Sequence, residues 1–359
     1  MFVAWRDLGF AKGRFALMGT VIVLITVLVG LLSGLTAGLG KQNVSAITGL
    51  PADHLVLSAP ADGQKLSFAD SQVTPGQWNG WAKAPGVTGA QPLGITTTKA
   101  AAGGRTAALS AFGVPAGSSL APQGALIAEG HAVLSETAAK DLGVRTGSPL
   151  TLAGRTLTVA AVAGDASFSH TPIVWTSLAD WQQVSPATRN GEHATVIALT
   201  TTAGADLSAT DKQLATKTLT RDDSLSAIGS YTSENGSLQL MRGFLFAISA
   251  LVIGAFFTVW TIQRSGDVAV LKALGASTGY LLRDALAQAV VLLVLGTALG
   301  TAIAAGVGAA VGSTVPFVLD APTVLFPAAV MIALGALGAA LSIRRITSVD
   351  PLTALGSTR

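Results

Sequence analysis

Four long stretches without a charged side chain constrain what this chain can become: Phe15 to Gly40, Gly243 to Gln263, Ala285 to Leu319 and Ala321 to Ile343. A hydrocarbon core about 30 Å thick is crossed by a helix of about 20 apolar residues. Lipid satisfies no backbone polar group, so each crossing segment has to bond internally as a helix. The third stretch is too long for one span, and Gly312, Pro316 and Pro322 interrupt it, which places its helix at about Leu286 to Val311. The expected spans are 15–40, 243–263, 285–312 and 323–343, with 313–322 as a loop between the last two. Half of the 359 residues are hydrophobic and 11% are charged, and the mean hydropathy is +0.57. A water-soluble domain of this length does not carry that composition. The first apolar run exceeds a signal-peptide core and has no evident small-residue cleavage site, so it is expected to stay as a helix.

Basic residues set the orientation. Arg6, Lys12 and Arg14 precede the first span, Arg264, Lys272 and Arg283 lie between the second and third, and Arg344, Arg345 and Arg359 follow the fourth. The connection between the third and fourth spans has only Asp320. Cationic side chains stay on the cytoplasmic side, so both termini are expected there, in a multi-pass protein of the cell membrane. The segment 41–242 is then exported. Its thirteen Lys and Arg against fourteen Asp and Glu leave no electrostatic footprint for nucleic acid. The absence of cysteine removes disulfides, thiol nucleophiles and cysteine metal sites.

The exported segment has the signals of a folded α+β domain. "PLTLAGRTLTVAAVAG" alternates Leu150, Leu152, Leu157, Val159 and Val162 around a turn at Ala153 and Gly154. "AVLSETAAKDLGVRTGS" predicts a short helix with Ser135 as N-cap and Gly143 past its last turn. Further strands are expected at His54, Thr106, Thr171 and Ala194, and "GVPAGSSLAPQG" from Gly113 is expected to connect two sublobes. No catalytic constellation appears. His54, His131, His170 and His193 have no metal-ligand spacing and read as packing or surface residues, His170 beside Phe168 and Trp175 being the least ordinary. Trp78 and Trp81 read as packing residues or as anchors at the membrane interface.

Between the second and third spans, residues 264–284 read "RSGDVAVLKALGASTGYLLRD". Val268, Val270, Leu271 and Leu274 recur at helical spacing, Gly275 ends the short helix, and Ser277 caps the next one. Such an amphipathic helix lies on the lipid interface or docks into a partner. "DVAVLKALGAST" resembles the cytoplasmic signature of the FtsX/MacB-type (type VII) ABC transporter permeases, with Asp267 near the family's usual Glu. "AWRDLGFAKGRF" is similar to the family's amphipathic helix ahead of the first span, here residues 1–14. "VLSETAAKDLGVRTGSPLTL" resembles its outer-domain segment, and "RRITSVDPLTAL" its closing segment, here within 344–359. The resemblance implies an α-helical membrane protein of four spans with an α+β extracytoplasmic domain between the first two. It also implies that the chain is no enzyme, that Asp267, Leu271, Lys272, Leu274, Gly275 and Ser277 couple to a separate cytoplasmic ATPase, and that two copies join two ATPases. The sequence has no P-loop of its own, since its one Gly-Lys pair, Gly40 and Lys41, is followed by Gln42. ATP-Mg therefore belongs to the partner. Gly30, Gly34 and Gly38 form a G-x-x-x-G series that suits a dimer seam.

The layout most resembles the family's heme-exporting HrtB branch. "GSYTSENGSLQLMRGF" at the entrance to the second span gathers Tyr231, Glu234, Asn235, Met241 and Arg242. Heme needs an iron ligand such as Met, Tyr or Glu and a cation for its propionates, and residues of these types stand here. An interfacial anchor accounts for the same residues. Heme is therefore the expected cargo, with no cofactor intrinsic to the chain. A lipoprotein, peptide or other hydrophobic-compound efflux permease, or an FtsX-like transmitter that activates an extracellular hydrolase, are the alternatives.

Overall fold

The computed structural model describes residues 12–186, 191–263, 266, 270–272, 274–312 and 314–347. The first described element is helix α1 (Lys12–Thr48). It is followed by β1 (His54–Ser58), α2 (Pro75–Trp81), β2 (Val87–Ala102), β3 (Arg105–Val114), β4 (His131–Leu134), α3 (Glu136–Leu142), β5 (Pro149–Leu152) and β6 (Arg155–Val162). Next come β7 (Ser167–Phe168), β8 (Thr171–Ser177), α4 (Leu178–Val184), β9 (Val196–Thr201), α5 (Ser208–Leu214), β10 (Thr216–Thr220) and three long helices, α6 (Gly229–Gln263), α7 (Thr278–Val311) and α8 (Ala321–Thr347). The chain divides into an α+β unit, Leu39–Gly236, and a helical unit made of Met1–Gly38 and Ser237–Arg359.

Helices α1, α6, α7 and α8 are each long and apolar enough to cross a membrane. α1 has 37 residues, about 55 Å at 1.5 Å per residue, far more than the bilayer core requires. The expected end at Gly40 marks where the apolar run stops, not where the helix does. Lys41, Gln42, Asn43 and Ser45 continue it, and Ala46, Ile47 and Leu50 beyond them are buried in the α+β core. α6 likewise starts at Gly229, well ahead of Gly243.

In the helical unit Met18, Ile22 and Val29 of α1 pack with Ile253, Phe257 and Trp260 of α6, Ala289 and Leu293 of α7, and Met331 and Ala339 of α8. Without a hydrophobic drive between helices in lipid, small residues and close contact carry the association. A Cβ added at Gly300 would stand 2.7 Å from Thr26 Cβ. At Gly30 it would stand 2.9 Å from Ala304 Cβ, at Gly34 2.3 Å from the Phe317 ring, and at Gly38 2.0 Å from the Pro316 carbonyl oxygen. Val318 N–H also donates to the Gly34 carbonyl at 3.1 Å. The glycine series is thus filled by this chain's own α7 and the connection to α8.

In the α+β unit the strands run in the order β10-β1-β9-β2-β3-β8-β4-β6-β5, and β5 returns to β2 through the pairing of Ala100 with Leu152. The sixteen-residue β2 belongs to both halves. Val87–Leu93 pairs with β9, and Gly94–Ala102 pairs with β3. Pro92, which has no N–H to donate, falls in the half that is laddered to β9 alone, where a strand tolerates it. Two apolar sets alternate along β3. Leu109 and Ala111 join the cluster that includes α3 and α4, and Phe112 and Val114 join the one that holds the end of α1. Ser135 caps α3 by accepting from Ala138 N–H, and Gly143 closes it at φ 67°. The stretch from Gly113 connects β3 to β4 within one sheet and buries Leu120 and Ala121, so it does not join two sublobes as expected. Trp81 is fully buried and donates to Thr216 Oγ1 at 3.2 Å, a packing residue.

Candidate functional site

Within the α+β unit three segments distant in sequence meet at one carboxylate. Glu234, on the second turn of α6, accepts at Oε2 from Asn43 Nδ2 at 3.0 Å and from His170 Nε2 at 2.6 Å. Asn43, 1% exposed, sits on the extension of α1 and accepts at Oδ1 from Ser230 Oγ at 3.1 Å. Ser230 and Ser169 hydroxyls lie 3.0 Å apart.

Local backbone chemistry brings His170 there. Phe168 pairs with Thr171, so β7 and β8 form a hairpin with a two-residue loop. Ser169 and His170 hold φ of 48° and 63°, the left-handed values of a type I′ turn that Asn and Gly ordinarily supply. Such a conformation costs a residue with a Cβ about 1–2 kcal/mol. The hairpin is held against α1: Ser169 N–H donates to the Asn43 carbonyl at 2.9 Å, His170 N–H to the Gln42 carbonyl at 3.2 Å, and Ser167 N–H to Ser45 Oγ at 2.9 Å. Strained backbone that its surroundings hold in place is a mark of functional positions. The His170 and Glu234 side chains keep 31% and 44% of their surface, so the carboxylate is held by two donors yet remains open to solvent.

Of the expected site residues, Tyr231 packs its ring on the α+β core and Asn235 lies half-buried on α6. Met241 and Arg242 belong to the helical unit. Met241 is 48% exposed, and the Arg242 guanidinium lies 5.7 Å from the Phe246 ring centroid and 5.2 Å from that of Phe326 on α8. Those distances suit cation–π contact. Tyr231, Glu234 and Asn235 belong to the α+β unit. The structure brings Glu234 together with Asn43 and His170, which no motif or spacing connects, and among the described residues no three His, Asp or Glu cluster as a metal site.

Of the expected coupling residues, Asp267 lies outside the described residues. Gly275, at φ 96°, closes the preceding turns: its N–H donates to the Lys272 carbonyl at 3.0 Å and Ala276 N–H donates to the Leu271 carbonyl at 3.0 Å. This is a Schellman closure. Ser277 then caps α7 by accepting from Tyr280 N–H at 3.3 Å. Leu271 and Leu274 stay 40% and 80% exposed, with Lys272 half-buried between them.

The family described as MacB-like periplasmic core domain matches residues 15–217, and that described as FtsX-like permease C-terminal matches 240–351. A Staphylococcus haemolyticus protein assigned by name as the hemin transport system permease HrtB is 26% identical over 366 residues, covering 99% of each chain. An ABC transporter permease of Mycobacterium tuberculosis, named as uncharacterized, is 25% identical with the same coverage. The extracellular domain of the noncanonic ABC-type transporter YknZ from Gram-positive bacteria is similar over 46% of this chain and 97% of that one, with 12% identity and a TM-score of 0.35.

Proposed function

Because the chain belongs to the FtsX/MacB-type permeases of ABC transporters, we propose that it exports heme taken from the membrane, driven by two separate ATPase subunits acting on a pair of permease chains. Permeases of this family are transmembrane subunits, not enzymes, and the family implies an ATPase partner. The proposal rests chiefly on one observation: relatives named for hemin transport align with this chain from end to end. Both termini and the short segment closed by Gly275 face the cytoplasm, where Leu271 and Leu274 offer an apolar face to the ATPase. The α+β unit faces outside.

Glu234 is the group through which the cargo acts. An iron centre that takes this carboxylate competes with Asn43 and His170 for it. Binding then loosens the tie between α1, the β7–β8 hairpin and the start of α6, and so reports on the cargo to two helices that cross the membrane. Tyr231, Asn235, Met241 and Arg242 remain candidate contacts for heme, Arg242 as cation for a propionate.

Hemin titrated into the purified permease in nanodiscs tests this reading. The Soret band is expected to shift and saturate, and the shift to be lost in Glu234→Ala and weakened in Met241→Ala. A spectrum identical in wild type and both variants refutes heme as the ligand. Cysteines placed at Arg14 and Arg264 are expected to resist impermeant outside labelling, and their modification refutes the orientation.

A further inference from the structure

We infer that the α+β unit carries a second binding site, separate from Glu234, for an uncharged small molecule that has both a hydrogen-bond donor and an acceptor. A cleft of about 440 Å³ opens in this unit, within the usual range for small-molecule sites. Phe68, Ile95, Phe168 and Ile228 give it apolar walls, and Trp181 and His193 stand on it as well.

Those last two side chains point to a ligand. Each is 2% exposed, and neither Trp181 Nε1 nor His193 Nε2 has a hydrogen-bond partner. Buried polar atoms are nearly always paired, because an unpaired one forfeits its hydration for nothing. His193 Nδ1 lies 3.0 Å from the Gly191 carbonyl. A carbonyl only accepts, so Nδ1 carries a proton, and in that tautomer Nε2 presents a lone pair. Trp181 Nε1 presents an N–H. The rings are neighbours with centroids 5.3 Å apart, so one functional group such as a carboxamide can serve both.

Packing holds Trp181 in place. Gly94 and Gly113 pair across β2 and β3, and a Cβ on either would fall 2.2 Å from Trp181 Cδ2 or 2.3 Å from Trp181 Cβ. Beside it Asp180, fully buried, accepts from Gly130 N–H at 2.9 Å and pairs with Arg155.

Among the described residues no Lys, Arg, Asp or Glu lines the cleft. None of the described lining residues would pair with a heme propionate, and the described residues that hold Glu234 are not among them. The cleft also touches Ser169, next to His170, and Ile228 and Gly229, which lead into α6. Its occupant therefore bears on the same hairpin and helix start that Glu234 ties together.

Saturation-transfer NMR on the full chain in nanodiscs, with empty nanodiscs as blank, tests the site with neutral N-acetyl-phenylalanine amide and its anionic counterpart N-acetyl-phenylalanine. The amide is expected to bind, with the acid about fivefold weaker and the amide about fivefold weaker in His193→Phe. Gln72 lies exposed on the rim, and Gln72→Trp is expected to fill the mouth and abolish binding without touching the core. It decides the matter should His193→Phe fail to fold. Signals equal to empty nanodiscs, equal for amide and acid, or unchanged in Gln72→Trp overturn the proposal.

Discussion

His170→Gly separates what the β7–β8 turn costs from what it does. Glycine occupies φ 63° freely, so the substitution recovers about 1 kcal/mol of backbone strain. It also deletes the hydrogen bond to Glu234 Oε2. A bond to a charged group is worth about 1.5–3 kcal/mol when buried. With the two side chains 31% and 44% exposed, solvent screening reduces it to about 0.5–1 kcal/mol. The two effects nearly cancel. His170→Ala keeps the strain and loses the bond, and so is destabilised by about 0.5–1 kcal/mol, or about 2–4 °C at most for a unit of this size. The predicted order of melting temperatures, followed by tryptophan fluorescence of the full chain in nanodiscs, is glycine level with wild type and alanine lowest. Export is expected to fall in both variants, because each unties the hairpin from α6. A glycine variant as unstable as the alanine one refutes the strain argument. Wild-type export in both refutes the role of the network.

Other substitutions probe separate parts of the account. Gly94→Ala drives a methyl into the rigid Trp181 indole and is expected to cost about 2–3 kcal/mol, read as a lower melting temperature of the α+β unit with unchanged membrane insertion. Gly275→Pro cannot hold φ 96°, and Lys272→Glu reverses the charge on the expected docking face. Both are predicted to uncouple ATP hydrolysis from export while the α+β unit melts as in wild type, and intact coupling in both contradicts the docking role. Asp206 is held below the ordinary carboxylate range, chiefly by the Ser208 hydroxyl and then by Ser208 N–H. A carboxylate with a lowered folded-state value stabilises the fold above its unfolded value, and the contribution fades as pH falls through the folded one. Ser208→Ala should raise the titration point of Asp206 in an NMR pH series, and an unmoved value would refute the assignment.

Hydrophobic length made the membrane helices legible, and period-two alternation with turn residues made β1, β3, β5, β6, β8 and β9 legible. β2 was missed. Its Gly89, Pro92 and Gly94 argue against a strand by propensity, and only its place between β9 and β3 explains them. Helix α1 reads too short in the sequence because hydropathy marks the end of the apolar run, whereas Ile47 and Leu50 gain their burial from tertiary packing. The Glu234 network left no local signal. Asn43, His170 and Glu234 are separated by 127 and 64 positions, and no periodicity connects them. Glu234 itself was legible as a carboxylate near a span. The glycine series was legible as a site of close helix approach, but spacing alone does not say whose helix approaches.

We propose that cargo acts through Glu234 on α1 and α6, the helices that carry Asn43 and Glu234. The most direct measurement is ATP hydrolysis by the permease reconstituted in nanodiscs with its ATPase, with and without hemin. Hemin is expected to raise turnover in the wild type, while Glu234→Gln keeps basal turnover and loses the response. A response of equal size in Glu234→Gln, or none in the wild type, would contradict the account.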